Sequence, residues 1–154
     1  MLFKGKHLGG KLTRTLTKSH VDHVALILKF KNPESDDVKD EVYLFESIGN
    51  TGVSLNKWED LRINIGTTGS FYSECIYRKV EFERDRENLQ RLEKFVDESL
   101  GRNYKLSVKK LMQNKTVRIK PGSENEFIDS NRTFFCSELV AKSFKILGIL
   151  NDEG

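Results

Sequence analysis

The chain has 154 residues, of which 37% are hydrophobic, 10% aromatic and 32% charged. This length and composition fit one globular domain with its own core, and they exclude collagen-like, low-complexity and wholly disordered chains. The net charge of +3 is too small to indicate nucleic-acid binding, and two cysteines are too few for a disulfide framework or a four-cysteine zinc site. The two cysteines suit a reducing compartment, with a single disulfide as the alternative.

The chain shows no membrane-spanning or secretory segment by composition. The longest apolar run, at residues 24–28, has the size of a strand rather than of a transmembrane helix. The first three residues are followed at once by Lys4 and Lys6, without the apolar core or the cleavage site of a signal peptide. We therefore expect a cytoplasmic protein without a transmembrane segment.

A basic stretch lies near the N-terminus. We expect its side chains to be solvated and not to bind nucleic acid, with contact to a membrane surface as the alternative. The residues are Lys4, Lys6, Lys11, Arg14 and Lys18.

Hydrophobic spacing predicts one helix followed by strands in the first part of the chain. Leu8, Leu12 and Leu16 recur at intervals of four, which indicates a short amphipathic helix within residues 7–19 that two glycines weaken. Aliphatic and alternating patterns then predict strands separated by turn-forming residues. The strands cover residues 24–30, 41–47 and 53–55, with turns at 32–37 and 49–52 and a helical turn at 58–61.

A further strand and the clearest helix follow. Alternating residues predict a strand over 71–82. A helix is predicted over 85–100, because Asp85 can cap its start and Gly101 can end it. The predicted apolar stripe of this helix consists of Leu89, Leu92, Val96 and Leu100.

The last part of the chain is predicted to be mainly helical. A weaker helix covers residues 106–113, and a loop covers 117–129. The final helix covers 133–147, and Thr133 as its N-cap would put Cys136 in the first turn. The order of these elements predicts an α+β fold with a mainly antiparallel sheet.

A histidine and a glutamate are predicted to lie side by side. His23 opens the first predicted strand and Glu46 lies near the end of the second. If these strands form a hairpin about residues 33–36, residues whose numbers sum to about 69 face each other, and 23 and 46 meet that condition. The imidazole and the carboxylate would then be neighbours.

Cys136 adds a nucleophile to this pair. The positive end of a helix macrodipole and a neighbouring imidazolium both favour the thiolate. A carboxylate that orients the imidazole completes the arrangement for attack on a carbonyl, and backbone N–H groups at the helix start can bind the oxyanion. We interpret Cys136 as the nucleophile, with a buried structural thiol as the alternative, and Cys75 as a structural thiol.

Four segments resemble the permuted papain-like hydrolases of the NlpC/P60 superfamily, in the branch that includes bacterial cell-wall-type amidases and poxvirus relatives. The most specific is Phe-Cys-Ser-Glu-Leu-Val at residues 135–140. In this resemblance the histidine precedes the cysteine, which is the order that circular permutation implies. The other segments are residues 19–26, residues 45–47 followed by Gly52 and Val53, and residues 101–104.

The resemblance implies a papain-like α+β fold with permuted order, formed by residues 1–154 as a single domain. Its antiparallel sheet would pack against helices that include the one bearing the nucleophile. Two features depart from the family pattern. Ala25 occupies a position that is usually glycine, and the chain is short at both ends relative to that pattern.

The resemblance also implies an activity and a set of site residues. The chain would be a cysteine hydrolase that cleaves a peptide, amide or lipid-acyl substrate through an acyl-thioester, without a metal or an organic cofactor. Cys136 would be the nucleophile, His23 the base and Glu46 the group that orients it. The pocket would be lined by Tyr104, Ser137 and His20.

Several alternatives stay open. Permuted relatives that transfer acyl chains between lipids use the same thioester, and an apolar channel together with lipid contacts by the leucine stripe of the first helix would favour that phospholipase-like or acyltransferase activity, which ranks second. A catalytically inactive binding module of the same fold is a second alternative. His20 could replace His23 as the base, and His20, Asp22 and His23 could form a metal site.

Overall fold

The computed structural model describes residues 1–30, 41–49, 51–103 and 135–150. Within these residues the chain forms four helices and two three-stranded antiparallel sheets, so the predicted α+β class is confirmed. The strands are β1 Leu2–Gly5, β2 His23–Val24, β3 Leu26–Phe30, β4 Glu41–Ile48, β5 Gly52–Lys57 and β6 Tyr72–Ile76. The helices are α1 Leu8–Thr17, α2 Trp58–Arg62, α3 Arg86–Ser99 and α4 Cys136–Ile146.

The single strand predicted over residues 24–30 is in fact two strands in different sheets. One sheet has the order β2-β1-β6 and the other has the order β3-β4-β5. The chain changes partners at the buried Ala25, whose N–H donates to the Met1 carbonyl (3.0 Å). Val24 before it pairs with Leu2 of β1, and Leu26 after it pairs with Phe45 of β4.

The strand predicted over residues 71–82 is shorter in the structure. β6 ends at Ile76, which is the residue opposite Leu2 of β1. Residues 77–85 have no regular secondary structure. An alternating apolar pattern does not extend a strand beyond the end of its partner, because the backbone N–H and C=O groups then have no strand to pair with. Here the partner is β1, which begins at Leu2.

The chain divides into two compact units. The first contains Met1–Glu46 and Ser54–Lys79, and the second contains Ser47–Val53 and Val80–Gly154. In the first unit, the buried core contains Phe3, Ala25, Leu44 and Tyr72. In the second unit, α3 and α4 contact each other.

Helix α3 begins as predicted, and its buried face overlaps the predicted stripe in part. Asp85 is the N-cap, and its carboxylate accepts a hydrogen bond from the Glu87 N–H (3.3 Å). The predicted stripe was wrong at its two ends, because Leu89 and Leu100 are exposed. The buried residues of α3 are Leu92, Phe95, Val96 and Ser99.

Helix α1 is held against the first sheet by a buried ion pair. The Arg14 guanidinium binds the Asp22 carboxylate, which also accepts a hydrogen bond from the Gly5 N–H of β1 (2.8 Å). Gly10 is buried beside Asp22, where a Cβ atom would overlap the carboxylate. Glycine at this position therefore serves close packing, although glycine lowers the intrinsic helix propensity.

Several predicted elements lie outside the described residues. They are the turn at 32–37, the helix at 106–113, the loop at 117–129, and the cap residue Thr133. None of the helices in the described ranges combines the length and the apolar composition that a bilayer crossing requires.

Candidate active site

His23 is positioned by three adjacent strands of the first sheet. It lies in β2 opposite Phe3 of β1. The imidazole stacks nearly parallel to the Tyr72 ring of β6, with ring centroids 5.9 Å apart, and its centroid is 5.6 Å from that of Phe3. Because Phe3 and Tyr72 belong to the buried core, the ring of His23 is supported on an apolar platform.

Glu46 forms a short hydrogen bond with this imidazole. Its Oε2 lies 2.7 Å from His23 Nε2, and the side chains are 2% and 10% exposed, respectively. A carboxylate removed from water needs partners for both oxygens, and hydrogen bonds to charged groups are stronger than neutral ones. The pair is therefore a specific buried contact and not a solvated strand-end charge.

The hairpin register that predicted this contact was wrong by two residues. Leu26 faces Phe45 and Ile27 faces Leu44, so opposed residue numbers sum to 71 and not to 69. His23 lies outside this ladder, because β2 pairs with β1 in the other sheet. The hairpin register therefore does not account for the contact, which the two side chains make where the chain passes from one sheet to the other at Ala25.

Asn56 completes the polar group and was not among the predicted site residues. Its Nδ2 donates to Glu46 Oε1 (2.8 Å) and to the Ser54 hydroxyl oxygen (3.1 Å). The strand predicted over residues 53–55 stopped one residue short of Asn56, whereas β5 continues to Lys57. The available signal was the period of two, which puts Ser54 and Asn56 on one face of a strand that neighbours β4.

The contact with Glu46 favours one tautomer of the imidazole. An ionised carboxylate oxygen only accepts hydrogen bonds, so an ionised Glu46 pairs with the tautomer in which the His23 Nε2–H group is the donor. In neutral imidazole the remaining nitrogen, Nδ1, is then the basic position. Asn56 holds the other carboxylate oxygen, and the ring is oriented by Glu46, so the arrangement can present Nδ1 as a proton acceptor.

Cys136 is the first residue of α4, in the second unit. Phe135 is the N-cap, and its N–H donates to the Glu138 carboxylate (3.0 Å). The helix begins later than the predicted start at about residue 133, and the prediction that Cys136 lies in its first turn is confirmed. The Glu138 carboxylate reaches back to accept from the backbone N–H of residue 135. Cys136 is a free thiol that is 3% exposed. Its position at the helix start places it near the positive end of the macrodipole.

Cys75 differs from Cys136 in its environment. It lies in β6 opposite Phe3 and is a half-buried free thiol. Burial raises the pKa of the Cys75 thiol above its ordinary value, because the charged thiolate loses hydration. The chain thus contains a natural reference thiol at a strand position.

Two of the three predicted pocket residues, Ser137 and His20, lie on the surface. Ser137 is exposed in the first turn of α4. His20 is exposed, and its Nε2 lies 3.0 Å from Glu74 Oε2, which makes it a surface ion-pair partner. Tyr104 lies outside the described residues. Of the two candidate base histidines, His23 is the one that contacts Glu46.

The three residues considered as a metal site do not share a centre. His20 contacts Glu74, Asp22 contacts Arg14 and Gly5, and His23 contacts Glu46. In the described ranges, no group of three or more histidine, cysteine or acidic side chains is arranged to hold a metal ion.

Two segments of the family resemblance are hydrogen-bonded to each other within the second unit. The Val53 N–H donates to the Arg102 carbonyl (2.8 Å), and the Gly101 N–H donates to the Val53 carbonyl (2.9 Å). Gly52 has a positive φ of 71°, and a Cβ atom there would overlap the Arg102 carbonyl oxygen. The glycine of this segment is therefore required by both its backbone conformation and this close approach.

Comparisons of the chain with protein-family models, with curated proteins and with solved structures found no match.

Proposed function

We propose that the chain is a cysteine hydrolase of the permuted papain-like type, which cleaves an amide or a related acyl bond. The observation that carries the proposal is the buried hydrogen bond between His23 and Glu46, which Asn56 braces from the other carboxylate oxygen. An imidazole held in one tautomer by a carboxylate is the group that activates a thiol nucleophile. The Phe-Cys-Ser-Glu-Leu-Val segment supplies that thiol in Cys136 at a helix start.

In the proposed reaction, His23 Nδ1 accepts the proton of the Cys136 thiol. The thiolate sulfur forms a bond to the substrate carbonyl carbon, and the carbonyl π electrons move to oxygen. Backbone N–H groups at the start of α4 donate to this oxyanion. When the tetrahedral intermediate collapses, the bond to the amine breaks. His23 returns its proton to the leaving amine, and an acyl-thioester remains on Cys136.

Hydrolysis then regenerates the enzyme. His23 Nδ1 accepts a proton from a water molecule, whose oxygen attacks the thioester carbonyl. The carbon–sulfur bond breaks, the carboxylic acid leaves, and the Cys136 thiolate recovers its proton from His23. Glu46 keeps its hydrogen bond to His23 and stabilises the imidazolium that forms twice in the cycle. These steps require no metal and no organic cofactor.

The proposal is tested by trapping the acyl-thioester. The protein is incubated with an activated acetyl ester and quenched in acid, and intact mass and peptide mass spectrometry locate the acyl group. We expect one acetyl group on Cys136 in the wild type and in Cys75→Ser, and none in Cys136→Ser. A wild-type protein that stays unlabelled, or that is labelled on Cys75 only, would contradict the proposal and favour an inactive binding module.

A second candidate function is acyl transfer between lipids through the same thioester. It is favoured by one observation, the exposure of Leu8, Leu12 and Leu16 on α1. Product analysis with a diacyl phospholipid as donor and a lipid amine as acceptor separates the two functions. Amide product with little free fatty acid would establish transfer, whereas free fatty acid as the main product would establish hydrolysis.

A further inference from the structure

Helix α1 turns its apolar stripe away from the core. At 3.6 residues per turn, Leu8, Leu12 and Leu16 fall within about 80° of the helix circumference. Their exposed fractions are 82%, 59% and 48%. The side of α1 that contacts the sheet instead carries Gly10 and Arg14. A surface helix normally packs its apolar stripe inward, so α1 is inverted relative to that rule.

The inversion is enforced by the contacts on the packed side. Arg14 Nη1 donates to the Gly5 carbonyl (3.0 Å) and binds the Asp22 carboxylate, which is itself buried. Gly10 leaves room for that carboxylate. A rotation of the helix that buried the leucines would separate this ion pair, so the outward direction of the stripe is a stable property of the first unit.

The segment that contains the stripe is basic, although Lys4 and Arg14 of this segment pair with Glu74 and Asp22. The first 21 residues contain five lysine or arginine residues and no aspartate or glutamate, while the rest of the chain contains 21 basic and 23 acidic residues. Lys11 and Lys18 are exposed, and no carboxylate in the described part of the chain forms an ion pair with either. Lys11 lies one turn from Leu8, and Lys18 caps the end of α1.

The threonines of α1 have their hydroxyl groups satisfied inside the helix. Thr13, Thr15 and Thr17 each donate to the carbonyl four residues earlier, at 3.0, 3.0 and 2.8 Å. A hydroxyl that is already bonded costs less to remove from water than an unpaired one. The helix can therefore enter a less polar environment without leaving these donors unpaired.

We propose that α1 docks on the surface of an anionic lipid bilayer. The three leucines enter the boundary between headgroups and acyl chains, and the neighbouring lysines contact the lipid phosphates. Apolar burial and electrostatic attraction act together at such surfaces, and α1 supplies both. The helix lies in the plane of the interface. Docking does not depend on the chemistry at Cys136.

The test is flotation of the full chain with vesicles of phosphatidylcholine alone or with 30% phosphatidylserine. We expect binding to the anionic vesicles that weakens about fivefold or more in Lys11→Glu and again at high salt. Leu12→Ser should weaken binding about tenfold. Ile63→Ser is the matched control, because Ile63 is an exposed apolar residue outside α1, and it should bind as the wild type does. Thermal unfolding verifies that each variant is folded.

Three results would overturn the docking proposal. The first is wild-type protein that does not float with anionic vesicles. The second is Leu12→Ser binding with wild-type affinity, which would reduce the interaction to general charge attraction. The third is a homodimer, measured by light scattering after gel filtration, that Leu12→Ser converts to monomer while vesicle binding is absent. In that case the stripe binds a second copy of the chain.

Discussion

His23 Nε2 and Glu46 Oε2 lie 2.7 Å apart although β2 and β4 belong to different sheets. The contact is therefore made between side chains where the two sheets adjoin at Ala25, and not by neighbours on a ladder. Within the described residues no buried side-chain nitrogen or oxygen lacks a hydrogen-bond partner. Substitution of His23, Glu46 or Asn56, which are joined by hydrogen bonds, should therefore affect both the stability of the first unit and the proposed chemistry.

Glu46→Gln should reduce activity and stability together. Both Glu46 oxygens accept hydrogen bonds, from His23 and from Asn56, whereas a glutamine side chain has one acceptor and one donor end. If the Nε2 proton stays in place, one contact becomes a donor facing a donor, which should cost about 1–3 kcal/mol in the free energy of unfolding. If the proton moves to Nδ1, Nε2 accepts from the glutamine amide and Nδ1 is no longer the basic nitrogen. Loss of the imidazolium partner should lower kcat about 10²–10⁴-fold.

Glu41→Gln is the control for this variant, because Glu41 lies on the same strand but is exposed. Urea unfolding and the rate of acyl-ester turnover are measured on both proteins. If Glu46→Gln turns over at the rate of Glu41→Gln, the orienting role of Glu46 is wrong.

Asn56→Ala should show that this residue positions Glu46. The substitution leaves Glu46 Oε1 buried without a donor, so we expect a loss of about 1–3 kcal/mol in stability. The dependence of turnover on pH should also change, because the carboxylate no longer has a fixed orientation beside His23. Asn64→Ala, which removes an exposed asparagine from the same unit, should change neither. A purely structural role would lower stability without altering the pH profile.

The two adjacent glycines of α1 should respond to alanine with opposite signs. A Cβ atom at Gly9 would meet only the His7 ring at 3.4 Å, an ordinary contact, so Gly9→Ala should stabilise by about 0.5–1 kcal/mol. At Gly10 the Cβ atom would overlap the Asp22 carboxylate, so Gly10→Ala should destabilise by about 1–3 kcal/mol. Thermal unfolding of both variants gives the signs, and equal shifts would contradict the packing of α1 on Asp22.

The exposed Glu41 carboxyl on the second sheet should stabilise the fold at neutral pH and lose this contribution at acidic pH. Hydrogen bonds from Lys57 and then from Tyr43 lower the pKa of the Glu41 carboxyl. A lowered pKa in the folded state means that the stabilisation is present above the unfolded pKa, about 4.3, and is lost as pH falls through the folded value.

NMR titration of Glu41 should therefore give a midpoint below about 4.3. Lys57→Met should raise this midpoint, because it removes the largest cause of the shift. A midpoint that is the same in the two proteins would show that the contact between Lys57 and Glu41 is absent in solution.

The contact between His23 and Glu46 could be predicted from the sequence because two strand patterns flank a dense turn. The exact register could not, because the chain switches sheets at Ala25 and hydrophobic pattern does not report such a switch. A pattern with a period of two determines which residues of a strand share a face. It does not determine the pairing register, because a shift of two residues along the partner strand leaves the same residues on that face. The contact is present although the predicted register was wrong by two residues, because the two side chains meet where the sheets adjoin and not across the ladder of β3 and β4.

Other errors had local causes. The extent of β6 depends on how far β1 continues beside it, which is a tertiary property that the residues of 77–82 do not encode. The start of α4 depends on the side chain of Glu138, which caps from inside the helix. The outward leucines of α1 could not be predicted, since the ion pair of Arg14 with Asp22 sets the direction of the helix. Periodicity indicated an amphipathic helix but not which face is buried.

The central claim is that His23 activates Cys136, and alkylation against pH tests it most directly. The rate of iodoacetamide modification is followed at each cysteine by peptide mass spectrometry, in the wild type and in His23→Ala. The account predicts that Cys136 reacts rapidly at about pH 6, whereas Cys75, whose pKa burial raises, reacts only above about pH 8.5. His23→Ala should abolish the reaction of Cys136 at low pH and leave Cys75 unchanged. A Cys136 profile that coincides with that of Cys75, or that His23→Ala does not alter, would contradict the account.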